Sequence, residues 1–226
     1  MTSRGPVSVM SPFASIETRW FFEGDSSHHP DLRHWFESCT PFPRAADAGA
    51  PEWKGRAGGA PDVYLLMPGC VDMGVKWREG TLQIKGRVAD LGERRFGTVH
   101  AGRVQRWIKW TYPDVPAAYR ALFEANEALG LETAQVYKTR ALRMIDMASA
   151  KPEEVAPGVV LERGIGFEMT DLELNGERYC SVAFEAFPDD TAAEAGFDAA
   201  VSGFLGELAG SLGIGASMSY PDWLCR

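Results

Sequence analysis

The chain has 226 residues, of which 45% are apolar and 24% charged, a composition typical of a globular protein. Its formal net charge of −8 argues against an extended nucleic-acid footprint and against a membrane partner, because nucleic acid and anionic membranes repel an acidic protein. The four cysteines lack CxxC spacing, which predicts neither a zinc site nor a disulfide framework, so we expect a reduced, cytoplasmic protein.

The first third of the chain predicts two strands, a short helix and a long loop. Residues 1–12 are small and polar and are expected to form a disordered tail, followed by a single domain at 13–226. The elements predicted up to residue 66 are a strand at 13–22 with Glu17 and Arg19 on one face, a helix at 28–39, a loop at 40–61 and a strand at 62–66.

A basic hairpin follows at 74–87. Two alternating runs meet at Glu79-Gly80, where glycine permits a tight turn. Side chains alternate along a strand, so Lys76 and Arg78 share one face, and Gln83, Lys85 and Arg87 share one face of the returning strand. Nine Lys or Arg residues against three acids lie between positions 76 and 109. A basic island in an acidic protein predicts a local anion site, although solvated surface cations would give the same pattern.

The remaining chain alternates strands with two helices. Its predicted elements are a polar connection at 88–102, a strand at 103–111, a helix at 113–130, a strand at 134–145, two strands meeting at Asn175-Gly176 and a helix at 191–212. Lys138 and Arg140 share one face of the strand at 134–145. The predicted fold is therefore α+β, an antiparallel eight-stranded β-barrel with cations facing a lumen and helices packed outside.

The order of these motifs resembles the CYTH superfamily, also called triphosphate tunnel metalloenzymes. The family opens with Glu-x-Glu-x-Lys and later carries an Asp/Tyr strand, a Leu-Arg-x-Arg hairpin, a Lys-x-Arg strand, a Glu-x-Glu strand and a closing Ser-Tyr segment. The matching residues are Ser15-Ile16-Glu17-Thr18-Arg19, Asp62-Val63-Tyr64, Val75-Lys76-Trp77-Arg78 with Leu82-Gln83-Ile84-Lys85, Lys138-Thr139-Arg140, Ala183-Phe184-Glu185 and Ser219-Tyr220.

The resemblance implies a tunnel that grips a triphosphate or another phosphorylated small molecule with cations and holds Mg²⁺ or Mn²⁺ with glutamates. The implied phosphate-binding residues are Arg19, Lys76, Arg78, Lys85, Lys138 and Arg140. The implied catalytic residues are Glu17 and Glu185, which would also bind the metal. The strand register described next adds Glu168 as a third candidate metal ligand. The family contains phosphohydrolases, adenylate cyclases and RNA 5′-triphosphatases, and the sequence excludes none of these reactions.

Two departures from the family pattern concern the metal site. Ser15 and Ala183 replace the first glutamate of each acidic pair, and Arg19 replaces the family lysine. Counting outward from the Asn175-Gly176 turn places Glu168 opposite Ala183 and diagonal to Glu185, where it supplies a third carboxylate or pairs with a tunnel arginine. A divalent-metal-dependent phosphohydrolase and a non-catalytic anion-binding module with a decayed metal site therefore both remain open, and the oligomeric state is not predicted.

Overall fold

The computed structural model describes residues 12–55, 59–113 and 132–226, and residues 115, 121 and 130 individually. Ten strands are present among them: β1 Phe13–Glu23, β2 Lys54–Gly55, β3 Asp62–Leu66, β4 Met73–Arg78, β5 Thr81–Phe96, β6 His100–Tyr112, β7 Glu132–Asp146, β8 Glu153–Val155, β9 Gly164–Leu174 and β10 Glu177–Phe187. The described α-helices are α1 Pro30–Ser38, α2 Thr191–Leu205 and α3 Tyr220–Leu224.

Eight of the strands form a closed antiparallel barrel. Neighbouring strands follow the order β7, β3, β4, β5, β6, β1, β10 and β9, and β9 pairs with β7 to close the ring. The short strands β2 and β8 lie outside the ring and pair with β7. The predicted α+β barrel is confirmed.

Both predicted hairpin turns are confirmed. Glu79 and Gly80 have φ values of 46° and 83°, and Asn175 and Gly176 have φ values of 54° and 83°. Two successive residues at positive φ match the twist of the flanking strands, which is why such turns suit two-residue hairpins. The second turn sets the register of β9 and β10, with Leu174 opposite Glu177 and Glu168 opposite Ala183, as the count from the sequence predicts.

The outward faces of the barrel carry the main apolar core. Trp20 on β1, Phe167 on β9 and Phe184 on β10 are fully buried and pack with residues of α1 and α2, including Phe36 and Phe204. The predicted inward-facing residues of α2 are buried at Phe197, Val201, Phe204 and Leu205. Because the strands alternate, this apolar outer face leaves the charged residues of the same strands facing the lumen.

One cation breaks the alternation and is buried in the outer layer. Arg143 on β7 is 1% exposed and donates two hydrogen bonds to the Glu154 carboxylate at 2.9 and 2.6 Å. It also donates to the backbone carbonyls of Phe36 at 2.8 Å and Cys39 at 2.7 Å. Arg143 therefore joins the end of α1 and strand β8 to the barrel wall.

Several predicted boundaries are wrong. The predicted connection at 88–102 is instead the continuation of β5 to Phe96 and the start of β6 at His100. Two register shifts, between Arg87 and Ala89 and between Asp90 and Gly92, interrupt the alternation there, because a β-bulge displaces the side-chain pattern by one residue. The helix predicted at 191–212 ends at Leu205.

Two predicted features fall outside the described residues, namely nearly all of the tail at 1–12 and most of the helix at 113–130. Val75, Leu82 and Ile84, which alternate with the lumen-facing cations of the hairpin, are half-buried, whereas Trp77 is buried. None of the helices in the described ranges combines the length and apolar character that crossing a bilayer requires.

Candidate functional site

The barrel encloses a cavity of about 480 Å³, within the usual size range of small-molecule sites. All nine predicted site residues line this one cavity: Glu17, Arg19, Lys76, Arg78, Lys85, Lys138, Arg140, Glu168 and Glu185. Three cations outside the predicted set, Lys54, Arg103 and Lys109, also line it, so nine Lys or Arg side chains face three glutamates among the described residues. The lumen is thus strongly basic although the whole protein is acidic.

Two glutamates of the lumen share one lysine. Glu17 on β1 and Glu185 on β10 are directly opposed in the strand register. Lys85 on β5 forms an ion pair with Glu17 and lies 3.9 Å from Glu185, and the Ser15 hydroxyl donates to Glu17 at 2.6 Å. Ser15, which stands where the family has its first glutamate, therefore supports Glu17 by a hydrogen bond.

The two opposed carboxyl groups have separated pKa values. Burial opposes ionisation of Glu17, but Lys85 and the hydrogen bonds from Glu185 and Ser15 outweigh it and lower its pKa to about 2. Burial and the adjacent Glu17 charge raise the pKa of Glu185 to about 7. The Glu185 side chain is 37% exposed and lines the lumen. This is the expected behaviour of two close carboxyl groups that share a proton.

Glu168 is paired with two arginines. Its carboxylate accepts from Arg19 at 3.0 Å and from Arg140 at 3.3 Å. Burial opposes ionisation of Glu168, but these two guanidinium groups lower its pKa to about 2. The sequence left two roles open for Glu168, a third metal-binding carboxylate or a partner of an arginine. The structure shows Glu168 paired with arginines.

The acidic residues do not form a ready metal cluster. In the parts of the chain that the structure describes, no three His, Cys, Asp or Glu side chains are close enough together to hold a metal ion. Glu17 and Glu185 remain an opposed pair of oxygen ligands, and Mg²⁺ is commonly held by only one or two carboxylates together with water and substrate phosphates. Two carboxyl groups would therefore suffice for such an ion only with further ligands from water or a bound phosphate.

A further carboxylate, Asp62 at the start of β3, is surrounded by cations. It is 4% exposed and lies 3.0 Å from Lys76, 3.1 Å from Lys138 and 3.4 Å from Arg78. Lys138 also donates to the Tyr64 hydroxyl at 2.6 Å. The motif match in the sequence includes Asp62 but assigns it no role, although Asp62 lies two residues from the lumen-lining Tyr64 and therefore shares its face of β3.

Aromatic side chains close one end of the barrel. Phe21 on β1 stacks on Trp223 of α3 at 4.8 Å between ring centroids, and Tyr64 stacks on Tyr220 at 5.8 Å. The backbone N–H of Met218 donates to the Arg19 carbonyl, which ties the segment before α3 to β1. The closing Ser-Tyr segment identified in the sequence therefore forms the end of the cavity.

No protein-family model matches the chain, and no curated protein matches its sequence. Among solved structures, the chain is similar to a conserved hypothetical protein from Pyrococcus furiosus, with 15% sequence identity over 91% of this chain and 98% of that chain and a TM-score of 0.43. The function proposed below therefore rests on the residues of the lumen.

Proposed function

We propose that the lumen binds a triphosphate or another phosphorylated small molecule, and that the protein is a divalent-metal-dependent phosphohydrolase of the CYTH type. The observation that carries this proposal is the convergence of nine cations on one concave cavity in a protein of net charge −8. Lysine and arginine form strong charge-assisted hydrogen bonds with phosphate oxygens. The order of the lumen motifs along the chain, which resembles that superfamily, supports the same proposal.

In this proposal Glu17 and Glu185 would hold Mg²⁺ or Mn²⁺ in the lumen. Such an ion would polarise a phosphoryl group towards attack by water. Lys85, which contacts both glutamates, would exchange its ion pair with Glu17 for a hydrogen bond to a phosphate oxygen. Arg19 and Arg140 would position the remaining phosphates, because Arg140 is half-exposed and both are within reach of the lumen.

One specific observation favours a second candidate, a non-catalytic anion-binding module. Lys85 already supplies the counter-ion that Glu17 needs, and Ser15 and Ala183 occupy the positions of the missing family glutamates. Because Lys85 neutralises the Glu17 carboxylate, the remaining cations of the lumen could bind an anion without a metal ion. The two candidates share the ligand class and differ in the role of Glu17 and Glu185.

The test is phosphate release from a panel of triphosphates with and without Mg²⁺ or Mn²⁺, paired with tripolyphosphate binding by calorimetry. For the hydrolase we expect metal-dependent turnover that Glu185→Gln abolishes, while binding persists or tightens because a negative charge near the anion is gone. Glu177→Gln, on the exposed end of the same strand, is the matched control and should turn over normally. Metal-independent binding without turnover, unchanged by Glu185→Gln, would contradict the hydrolase and support the binding module.

A further inference from the structure

Three lumen cations share a single buried carboxylate. The ammonium nitrogens of Lys76 and Lys138 lie 3.0 and 3.1 Å from the same oxygen, Oδ2 of Asp62, and the Arg78 Nε lies 3.4 Å from Oδ1. Two ammonium groups on one oxygen lie within about 6 Å of each other, a separation at which like charges disfavour one another strongly away from water. A pair of lysines at this distance needs a counter-ion.

We infer that Asp62 is a positioning residue of the anion-binding lumen: it holds the ammonium groups of Lys76 and Lys138 side by side in the charged form that binds phosphate. The inference rests on the proposed function, since it concerns how the same lumen binds its anion. Asp62 does not contact the ligand in this arrangement, because the two lysines and Arg78 cover its carboxylate.

Both lysines titrate near neutral pH even with Asp62 in place. Burial and the neighbouring Lys138 lower the pKa of Lys76 to about 7, with Asp62 acting in the opposite direction. Burial lowers the pKa of Lys138 to about 8, again opposed by Asp62. The other titratable or charged groups that face the two lysines are Tyr64 on β3, Arg78 on β4, Arg19 on β1, Glu168 on β9 and Tyr220 on α3.

Removing the Asp62 charge should therefore lower the pH at which the two lysines lose their charges. An opposite charge in direct contact shifts a pKa by about one to three pH units, so Asp62→Asn should lower both lysine pKa values by that amount. An uncharged lysine is a poor phosphate ligand. The variant should lose anion binding as the pH rises, at a lower pH than the wild type does.

The first measurement follows the lysines directly in the protein without ligand. Protein carrying ¹³C at lysine Cε is titrated by NMR, and Lys76→Arg and Lys138→Arg each remove one signal for assignment. Lower lysine pKa values in folded Asp62→Asn support the inference, and unchanged values overturn it. If Asp62→Asn does not fold, Asp62→Glu decides: it keeps the charge but moves it by one methylene group, so changed lysine pKa values support the inference and unchanged values overturn it.

The second measurement is tripolyphosphate affinity at about pH 5, where both lysines are charged in wild type, and at about pH 7, where Asp62→Asn should have lost their charges. Asp62→Asn should bind within about threefold of wild type at the lower pH and about tenfold more weakly at the higher pH. Adding Lys76→Arg and Lys138→Arg should restore binding at the higher pH, since a guanidinium stays charged. Equal losses at both pH values without rescue would overturn the inference.

The two proposals fail in different ways. If wild-type protein binds no tripolyphosphate at either pH, the proposed function is contradicted. The lysine titration in the ligand-free protein still decides whether Asp62 holds the two lysines in their charged form.

Discussion

Arg140→Met offers a clean test of anion binding, because this arginine contributes little to the fold. Its side chain is 48% exposed and its ion-pair partner is Glu168 at 3.3 Å. An ion pair this exposed to solvent contributes about 0–1 kcal/mol to the free energy of unfolding. The variant should therefore fold normally while one cation is missing from the lumen.

The expected loss of binding follows from the charge-assisted contact. A hydrogen bond to a charged group contributes about 1.5–3 kcal/mol, so the Kd for tripolyphosphate should rise about 10- to 150-fold. At a ligand concentration 100 times the wild-type Kd, the ligand stabilises wild type by about 2.7 kcal/mol and the variant by about 0.3–1.4 kcal/mol. For a chain of this length, 1 kcal/mol corresponds to about 2–4 °C in Tm, so the ligand should raise Tm by about 5–11 °C in wild type and about 1–6 °C in the variant.

The assay is thermal unfolding with and without tripolyphosphate, with calorimetry to measure Kd directly. Arg178→Met is the matched control, because Arg178 is an arginine on a barrel strand, 64% exposed, with one ion pair to Asp25 at 2.8 Å, and it does not line the lumen. A wild-type Kd in Arg140→Met would refute lumen binding at this residue. An equal loss in Arg178→Met would show that the effect is one of net charge alone.

Three further predictions concern stability. Arg143→Met leaves the buried Glu154 carboxylate without its main partner and should lower the free energy of unfolding in urea by about 3–5 kcal/mol, whereas adding Glu154→Leu should recover part of that loss; a double variant less stable than the single one would contradict this. Gly102→Ala places a Cβ 2.5 Å from the buried Trp20 ring and should cost about 1–3 kcal/mol by overpacking, and a wild-type midpoint would show that Trp20 can shift. Because the pKa of Glu185 is raised from 4.5 to about 7, its contribution to stability is present below pH 4.5 and lost as the pH rises to about 7; Glu185→Gln should remove this decline, and parallel wild-type and variant curves across that range would rule it out.

The alternation of side chains along the strands and the residues of the two turns were enough to predict the strand register and most of the lumen-facing residues. Because Glu79-Gly80 and Asn175-Gly176 adopt the two-residue turns that their sequences favour, the register on either side follows by counting. That count places Glu168 opposite Ala183. The same period of two predicts which cations face the lumen, and the cavity contains all six predicted phosphate-binding residues.

Features that depend on distant parts of the chain were not predictable in this way. Arg143 lies on the outward face, where the period of two predicts an apolar residue, and its partners are Glu154 and the carbonyls of Phe36 and Cys39, about a hundred residues earlier in the chain. The bulges in β5 shift which side chains face the lumen, and the amino-acid composition of the strand does not reveal where the shifts occur. The role of Asp62 depends on the pairing of β3 with both β4 and β7, which brings Lys76 and Lys138 to the same oxygen.

The internal ion pairs of the lumen have a consequence for which anions it retains. Three carboxylates are already paired with lumen cations: Glu17 with Lys85, Glu168 with Arg19 and Arg140, and Asp62 with Lys76, Lys138 and Arg78. An incoming anion must compete with these carboxylates for six of the nine cations that line the cavity. A singly or doubly charged anion replaces one pair with another of similar strength and gains little. An anion with several charges along its length would meet many cations at once, so under the proposed function the barrel would select its ligand by valence before it selects by shape.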